Sequence, residues 1–194
     1  MSVAVKIGAS EEAALLPSLL NVVSSSPAHT VLAAAVAAAP DVAAALKGAS
    51  DATLVAPTDE PFGKLLESLG LSADALLNSD VLPALLQYHV TKPAITDEDE
   101  CEDVRDTLLE GASWTRVYNE QSGQCDLKDG GDRVVRRVGD IIEAARGCTV
   151  IVADGVLVPA GVSVAGGKLA LKVGGRMNAS FRAHEFHKGQ NHWY

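Results

Sequence analysis

The chain predicts an α+β fold on three observations. Helical apolar stripes crowd its first half, strand-like alternation marks its second, and two β-prone runs, starting at Thr53 and Thr149, stop at punctuating residues in a fixed order. Ser10 to Val23 reads as a first helix, with Ser10 as cap and Leu15, Leu16, Leu19 and Leu20 as its apolar face; Ser24-Ser-Ser-Pro27 ends it. Thr30 opens a second helix with Leu32, Ala35, Val36 and Ala39 at helical spacing. Pro40-Asp41 interrupts it, and Val42, Ala45 and Leu46 continue on a third helix closed by Gly48, so two small-residue helices meet at an angle.

Thr53 to Ala56 is a short strand closed by Pro57, which supplies no donor to a ladder. Thr58 or Asp59 can cap the helix that follows, in which Phe62, Leu65, Leu66 and Leu69 form one face and Gly70 marks the end. Ser72 to Asn78 reads as a short capped helix. Asp80 to Val90 gives another, and its stripe of Leu82, Leu85, Leu86 and His89 turns the imidazole inward.

From Thr91 the period changes. Six carboxylates between Thr96 and Asp103 surround Cys101 and predict a solvated loop or the fraying start of a helix, Trp114 to Tyr118 alternates as a strand, and Asp129-Gly-Gly-Asp132 is a hairpin-type turn. Arg133 to Val138 predicts a strand and Asp140 to Ala145 a helical turn. Val150 to Val158 is almost wholly apolar, which predicts a central strand pair covered on both faces and kinked at Asp154-Gly155. Leu169, Leu171 and Val173 alternate in a small hairpin over Gly161 to Val173; Gly174 to Tyr194 has little periodicity and reads as a mobile or partner-docked tail.

At 194 residues the chain is long enough for one substantial core, and with 47% apolar but only 4% aromatic residues that core is built of Val, Leu and Ala. A net charge of −9, with no basic face, excludes a nucleic-acid surface. No apolar stretch approaches the roughly 18 residues of a membrane span. Met1 to Gly8 has no secretory leader pattern. Of three cysteines, Cys148 opens the core strand and reads as a buried thiol, whereas Cys101 and Cys125 flank polar loops and either pair in a disulfide or stay reduced. Asn178-Ala-Ser180 is the sole glycosylation sequon.

The two punctuated runs, Thr53-Leu-Val-Ala-Pro-Thr-Asp-Glu-Pro-Phe62 and Thr149-Val-Ile-Val-Ala-Asp-Gly-Val-Leu-Val-Pro159, together with Tyr88-His89 between them, resemble the signature segments of the fasciclin (FAS1) domain family. The resemblance covers roughly Leu20 to Pro159. It departs from the family pattern at Leu54-Val55, Pro61, Ile151 and Arg146-Gly147. It implies a wedge-shaped β-sandwich with a layer of helices, in a chain divided as 1–19 N-terminal extension, 20–160 domain and 161–194 C-terminal extension. It also implies export from the cell, with a signal peptide absent from this numbering, and a structural core of Tyr88, His89, Thr58, Asp59 and Asp154. In that core His89 bonds near the first segment, to Thr58 or Asp59.

Chemistry-bearing residues are sparse. His89 lacks a nucleophile in a recognisable context, and no Gly-rich phosphate loop, paired catalytic carboxylates or zinc spacing is present, so the expectation is a non-enzymatic protein without metal or cofactor. The acidic run Asp97 to Glu100, Glu102 and Asp103 lacks the alternating ligands and central Gly of an EF-hand loop. His184, His187 and His192 in the tail read as a polar terminus rather than a metal site. Asp154-Gly155 reads as a turn, or as part of a receptor-binding edge by resemblance. Two functions from different classes are compatible with this. The first is a secreted module that binds protein or glycan at the cell surface or in the matrix. The second is a carrier that solubilises an apolar small molecule, by resemblance a carotenoid as in some green-algal members. Its groove would run between the small-residue helices and a strand edge and be lined by Val31, Ala35, Ala38, Val42, Leu46, Val158 and Val162.

Overall fold

Short helices fill the first half of the chain, and each boundary has a local cause. The computed structural model describes residues 16–165, 168–173 and 176–177. Helix α1 is Leu19–Ser25, capped by the Ser18 hydroxyl, which accepts from the Asn21 N–H. Among the described residues it begins at Leu19, because Ser18 is extended and serves as the cap; residues 10–15 of the expected helix lie outside the described residues. Helices α2 (Thr30–Ala37) and α3 (Pro40–Gly48) bend by 108° where Pro40 starts the new helix. Helix α4 (Asp59–Leu69) ends at Gly70, whose φ of +63° is a left-handed terminus, with the Leu71 N–H returning to the Leu66 carbonyl. Helices α5 (Ala73–Leu77) and α6 (Leu82–Tyr88) complete the layer.

The first sheet has the order β2-β1-β8-β7, made of β1 (Thr53–Pro57), β2 (Val90–Thr91), β7 (Ile142–Ala144) and β8 (Cys148–Ala153). The two signature runs are its central pair and run parallel, Thr53 opposite Thr149 and Ala56 opposite Val152. Both faces are covered. Leu54, Ala56, Cys148 and Val150 pack with the helices, while Val55, Ile151 and Ala153 pack with Tyr88, Ile95, Trp114, Leu127 and Val135. That second layer comes from a sheet ordered β3-β4-β5-β6: β3 (Val104–Asp106), β4 (Ser113–Asn119), β5 (Gln124–Lys128) and β6 (Val134–Val135). Strands β9 (Val162–Ala165), β10 (Lys168–Val173) and β11 (Arg176–Met177) form a separate antiparallel set, in line with the hairpin expected there. The architecture is the expected α+β sandwich with a helical layer.

Two local expectations are corrected. Residues 142–144 form strand β7 rather than a helical turn, because Ile142, Glu143 and Ala144 find ladder partners in Val150, Thr149 and Cys148. The apolar run after Thr149 is one strand rather than two: β8 ends at Ala153, and Val156 and Leu157 are buried as irregular chain. The Asp154-Gly155 corner falls against β6. A Cβ on Gly155 would lie 2.8 Å from a Val135 methyl, so this close approach needs glycine.

Candidate functional site

The signature segments and the Tyr88-His89 dipeptide meet at one junction, beneath the end of β8. His89 closes α6 and is 1% exposed. Its Nδ1 lies 2.8 Å from the Leu85 carbonyl, which can only accept, so Nδ1 carries the proton. Its Nε2 then accepts the Leu157 N–H at 3.1 Å. Burial holds the imidazole down, at a pKa of about 4, against the opposing effects of its bond to the Leu85 carbonyl and of Asp129, so it is neutral at pH 7. The partner is thus the second signature segment, not Thr58 or Asp59. The first segment is reached through the His89 carbonyl, which accepts the Val55 N–H at 2.8 Å.

Tyr88 is fully buried beside it. Its hydroxyl donates to the Ser113 carbonyl and accepts the Gly130 N–H, each at 2.8 Å, and burial pushes its phenol up. A Cβ on Gly130 would sit 2.9 Å from the Ala160 nitrogen, so the turn that reads as a hairpin signal is glycine-rich in order to reach Tyr88 closely. Asp129 in the same turn is the centre of the junction. Its buried carboxylate accepts the Gly131 and Arg133 N–H groups, two guanidinium bonds from Arg133 and the Val158 N–H. No sequence motif marked it. The only signal was a turn Asp with an Arg four residues on.

The first residues of the two signature runs form a second buried link. Thr149 Oγ1 donates to the Ile95 carbonyl at 3.0 Å, so Thr53 Oγ1 must donate to Thr149 Oγ1 at 2.7 Å while accepting the Ile95 N–H. Every group in these links is committed to another part of the fold. The arrangement orients backbone; it leaves His89 neither solvent contact nor a free nitrogen with which to move a proton.

The remaining sequence candidates fall elsewhere. Asp59 does not cap its own helix; its carboxylate accepts from the Thr30 hydroxyl at 2.6 Å and the Val31 N–H at 2.8 Å, at the start of α2. Burial raises its pKa, but these bonds outweigh that and hold the carboxyl below its ordinary value. Thr58 is half-buried, and its N–H reaches the Ala153 carbonyl. Asp154 is exposed rather than in the core: its Oδ1 accepts the Arg136 N–H at 2.9 Å, while its own N–H returns to the Arg136 carbonyl. Ala35, Val42 and Leu46 are at most 4% exposed and pack into the interior, so the small helices close against the core instead of lining a groove. Val31, Val158 and Val162 are half-buried and Ala38 is exposed. Asn178, His184, His187 and His192 lie outside the described residues.

Cys101 and Cys125 are joined in a disulfide, with their Cα atoms 5.6 Å apart, and Cys148 is a buried free thiol. The acidic loop is more than a solvated surface. Asp97 pairs with Arg137 at 2.5 Å, Asp99 lies 3.9 Å from Arg105, and Asp103 pairs with both Arg105 and Arg116. Arg116 is 2% exposed and gives Nη2 to the Asp99 carbonyl and to the Cys125 sulfur. Burial pushes its guanidinium down from its ordinary value, opposed by Asp103.

Two sheet layers, a helical face and a buried Tyr-His pair locking paired signature strands together define an α+β sandwich domain whose buried polar groups serve the fold. The fasciclin domain model matches residues 27–159, which is more than half of the chain. The chain belongs to the fasciclin domain family, one associated with cell-adhesion modules. Among solved structures it is similar to a FAS1 domain pair from the insect cell adhesion molecule fasciclin I, at a TM-score of 0.61 and 14% identity, over 73% of this chain and 51% of that one. At that identity the likeness concerns the fold, and the chain spans about half the length of that pair. No curated protein matches the sequence.

Proposed function

We propose that this chain is a non-enzymatic, exported module that engages a protein partner at the cell surface or in the extracellular matrix. The observation that carries the reading is the outer face of the second sheet. Its register aligns Val104, Thr115, Lys128 and Val134 in one row across four strands, and the two valines are 65% and 57% exposed. Single exposed apolar residues are ordinary on a protein surface, so what supports the reading is that both valines share this one solvent-facing sheet face with Thr115 and Lys128. Family membership favours adhesion. The Cys101–Cys125 disulfide supports an oxidising, extracytoplasmic setting. A net charge of −9 disfavours sulfated glycans and so favours protein.

The test is attachment of cells from the source organism to a surface coated with the protein. The double variant Val104→Ser with Val134→Ser should lower attachment on the order of tenfold, as expected when two apolar side chains are removed from a contact. Equal attachment to a correctly folded variant would remove this face from the reading.

A further inference from the structure

The disulfide between Cys101 and Cys125 is held unevenly. Arg116 on β4, 2% exposed, reaches the Cys125 sulfur with Nη2 at 3.1 Å, and no such bond reaches the Cys101 sulfur among the described residues. Asp103, Arg105, Asp99 and Arg137 are the other charges around that guanidinium, and Asp103 stands 3.7 Å from its Nε. Cys101 lies instead between Glu100 and Glu102. The acidic loop commits Asp97, Asp99 and Asp103 to arginines, whereas Glu98, Glu100 and Glu102 are exposed and have no cation within ion-pair distance among the described residues. Both cysteines are half-buried, so the bridge lies at the protein surface and outside the two apolar cores.

Thiol–disulfide exchange is directional when the two sulfurs differ. An attacking thiolate bonds to one sulfur and expels the other, and it does so faster when the expelled sulfur is the better-stabilised anion. A guanidinium at hydrogen-bonding distance gives that stabilisation to Cys125. We propose that Cys101 is a covalent modification site for a small cationic thiol, with Cys125 as the leaving group held by Arg116. The incoming thiol gives its proton to solvent, its sulfur bonds to Cys101 Sγ, the Cys101–Cys125 bond breaks, and the electron pair of that bond stays on Cys125 as a thiolate. One disulfide replaces another, so no separate oxidant or reductant enters. Glu98, Glu100 and Glu102 select the charge of the thiol, drawing in an ammonium group and repelling an anion.

The test exposes the full, disulfide-bonded chain under native conditions to cysteamine and, separately, to 2-mercaptoethanesulfonate, each rate being divided by the same probe's rate on a small neutral disulfide. At low conversion the freed thiol is alkylated and the peptides are mapped by mass spectrometry. Cysteamine should sit on Cys101 and the alkyl group on Cys125 in about a fivefold excess over the reverse arrangement, part of the worth of one charge-assisted hydrogen bond. It should also react about threefold faster than the sulfonate, a preference that added salt and the exposed double variant Glu100→Gln with Glu102→Gln should each diminish. A pH profile separates the leaving group from mere access: in Cys101→Ala the Cys125 thiol should be alkylated with its midpoint at lower pH than the Cys101 thiol in Cys125→Ala. A disulfide that resists both probes while the chain stays folded would overturn the proposal, as would an even or reversed distribution between the two sulfurs, coincident pH midpoints, or equal rates for the two probes. Since the peptide map uses the unaltered chain, it decides the matter even if a variant does not fold.

Discussion

His89 has one tautomer available to it, because a carbonyl holds Nδ1 and an N–H holds Nε2; a second proton would fall on the nitrogen that accepts from Leu157. Burial therefore makes this residue a source of pH-dependent stability. The folded pKa of about 4 lies below the ordinary 6.5, so between those values the unfolded chain binds a proton that the native chain refuses. The contribution is complete above 6.5 and is lost as pH falls toward 4, and it amounts to about 3 kcal/mol at an order of magnitude. Urea unfolding should show that loss in the unaltered chain, whereas His89→Gln should be less stable at pH 7 and should lack the His89 share of the slope between pH 6.5 and 4. An NMR titration of the unaltered ring provides the independent check: a midpoint near 6.5 would show the imidazole to be free of this environment. Nearby, Tyr88 spends its hydroxyl on backbone groups of two other segments, and Asp129 ties its own turn to the Val158 N–H.

Among the elements, α2 depends on a residue far away in sequence. Its own N-cap, His29, makes no side-chain cap bond, and Asp59 supplies one to Val31 instead, together with a bond from Thr30. Losing such a cap costs about 1 kcal/mol. Asp59→Ala should therefore lower unfolding stability by about that amount, while Glu60→Ala, whose ion pair with Lys64 is exposed, should leave it unchanged. Equal effects of the two substitutions would show that the cap does not hold α2. The example also marks where sequence reading stops. Apolar stripes, the Gly70 terminus, the two-faced burial of β8 and the inward turn of His89 were legible, because each depends on residues within a turn or two of one another. Asp59 was legible as a capping residue but not as the cap of another helix, since a carboxylate does not announce which of two N-termini it will reach. The Asp140–Ala145 stretch misled for the same reason: its three strand residues are defined by partners in β8, several positions downstream. Asp129 offered only turn chemistry, although five N–H bonds from three residues, two of them from the Arg133 guanidinium, converge on it.

For the molecule as a whole, the two sheets are secured differently. The first is buried on both faces by apolar side chains, whereas the second shows one face to solvent and is tied along its edge by polar and covalent links. The acidic loop carries Cys101, and Arg116 beneath it touches the loop backbone at Asp99, the Asp103 carboxylate and the Cys125 sulfur. Those carboxylates thus hold the loop over a buried cation, which would be left uncompensated if the loop lifted away. The disulfide restrains the same loop through a bridge between positions 24 apart. A bridge of that span contributes roughly 3 kcal/mol, mainly by restricting the unfolded chain. Reduction under native conditions should then shift the urea midpoint down by the equivalent of that energy, and the double variant Cys101→Ala with Cys125→Ala should reproduce the shift without reductant. Cys148, buried at the start of β8, should stay unreactive to thiol reagents until the first sheet opens. Hydrogen exchange locates the effect: in the reduced chain, amides of β3 and β4 should lose protection while those of β1 and β8 retain it. A reduced chain with an unmoved midpoint and uniform protection would show that the arginine network alone secures the outer sheet.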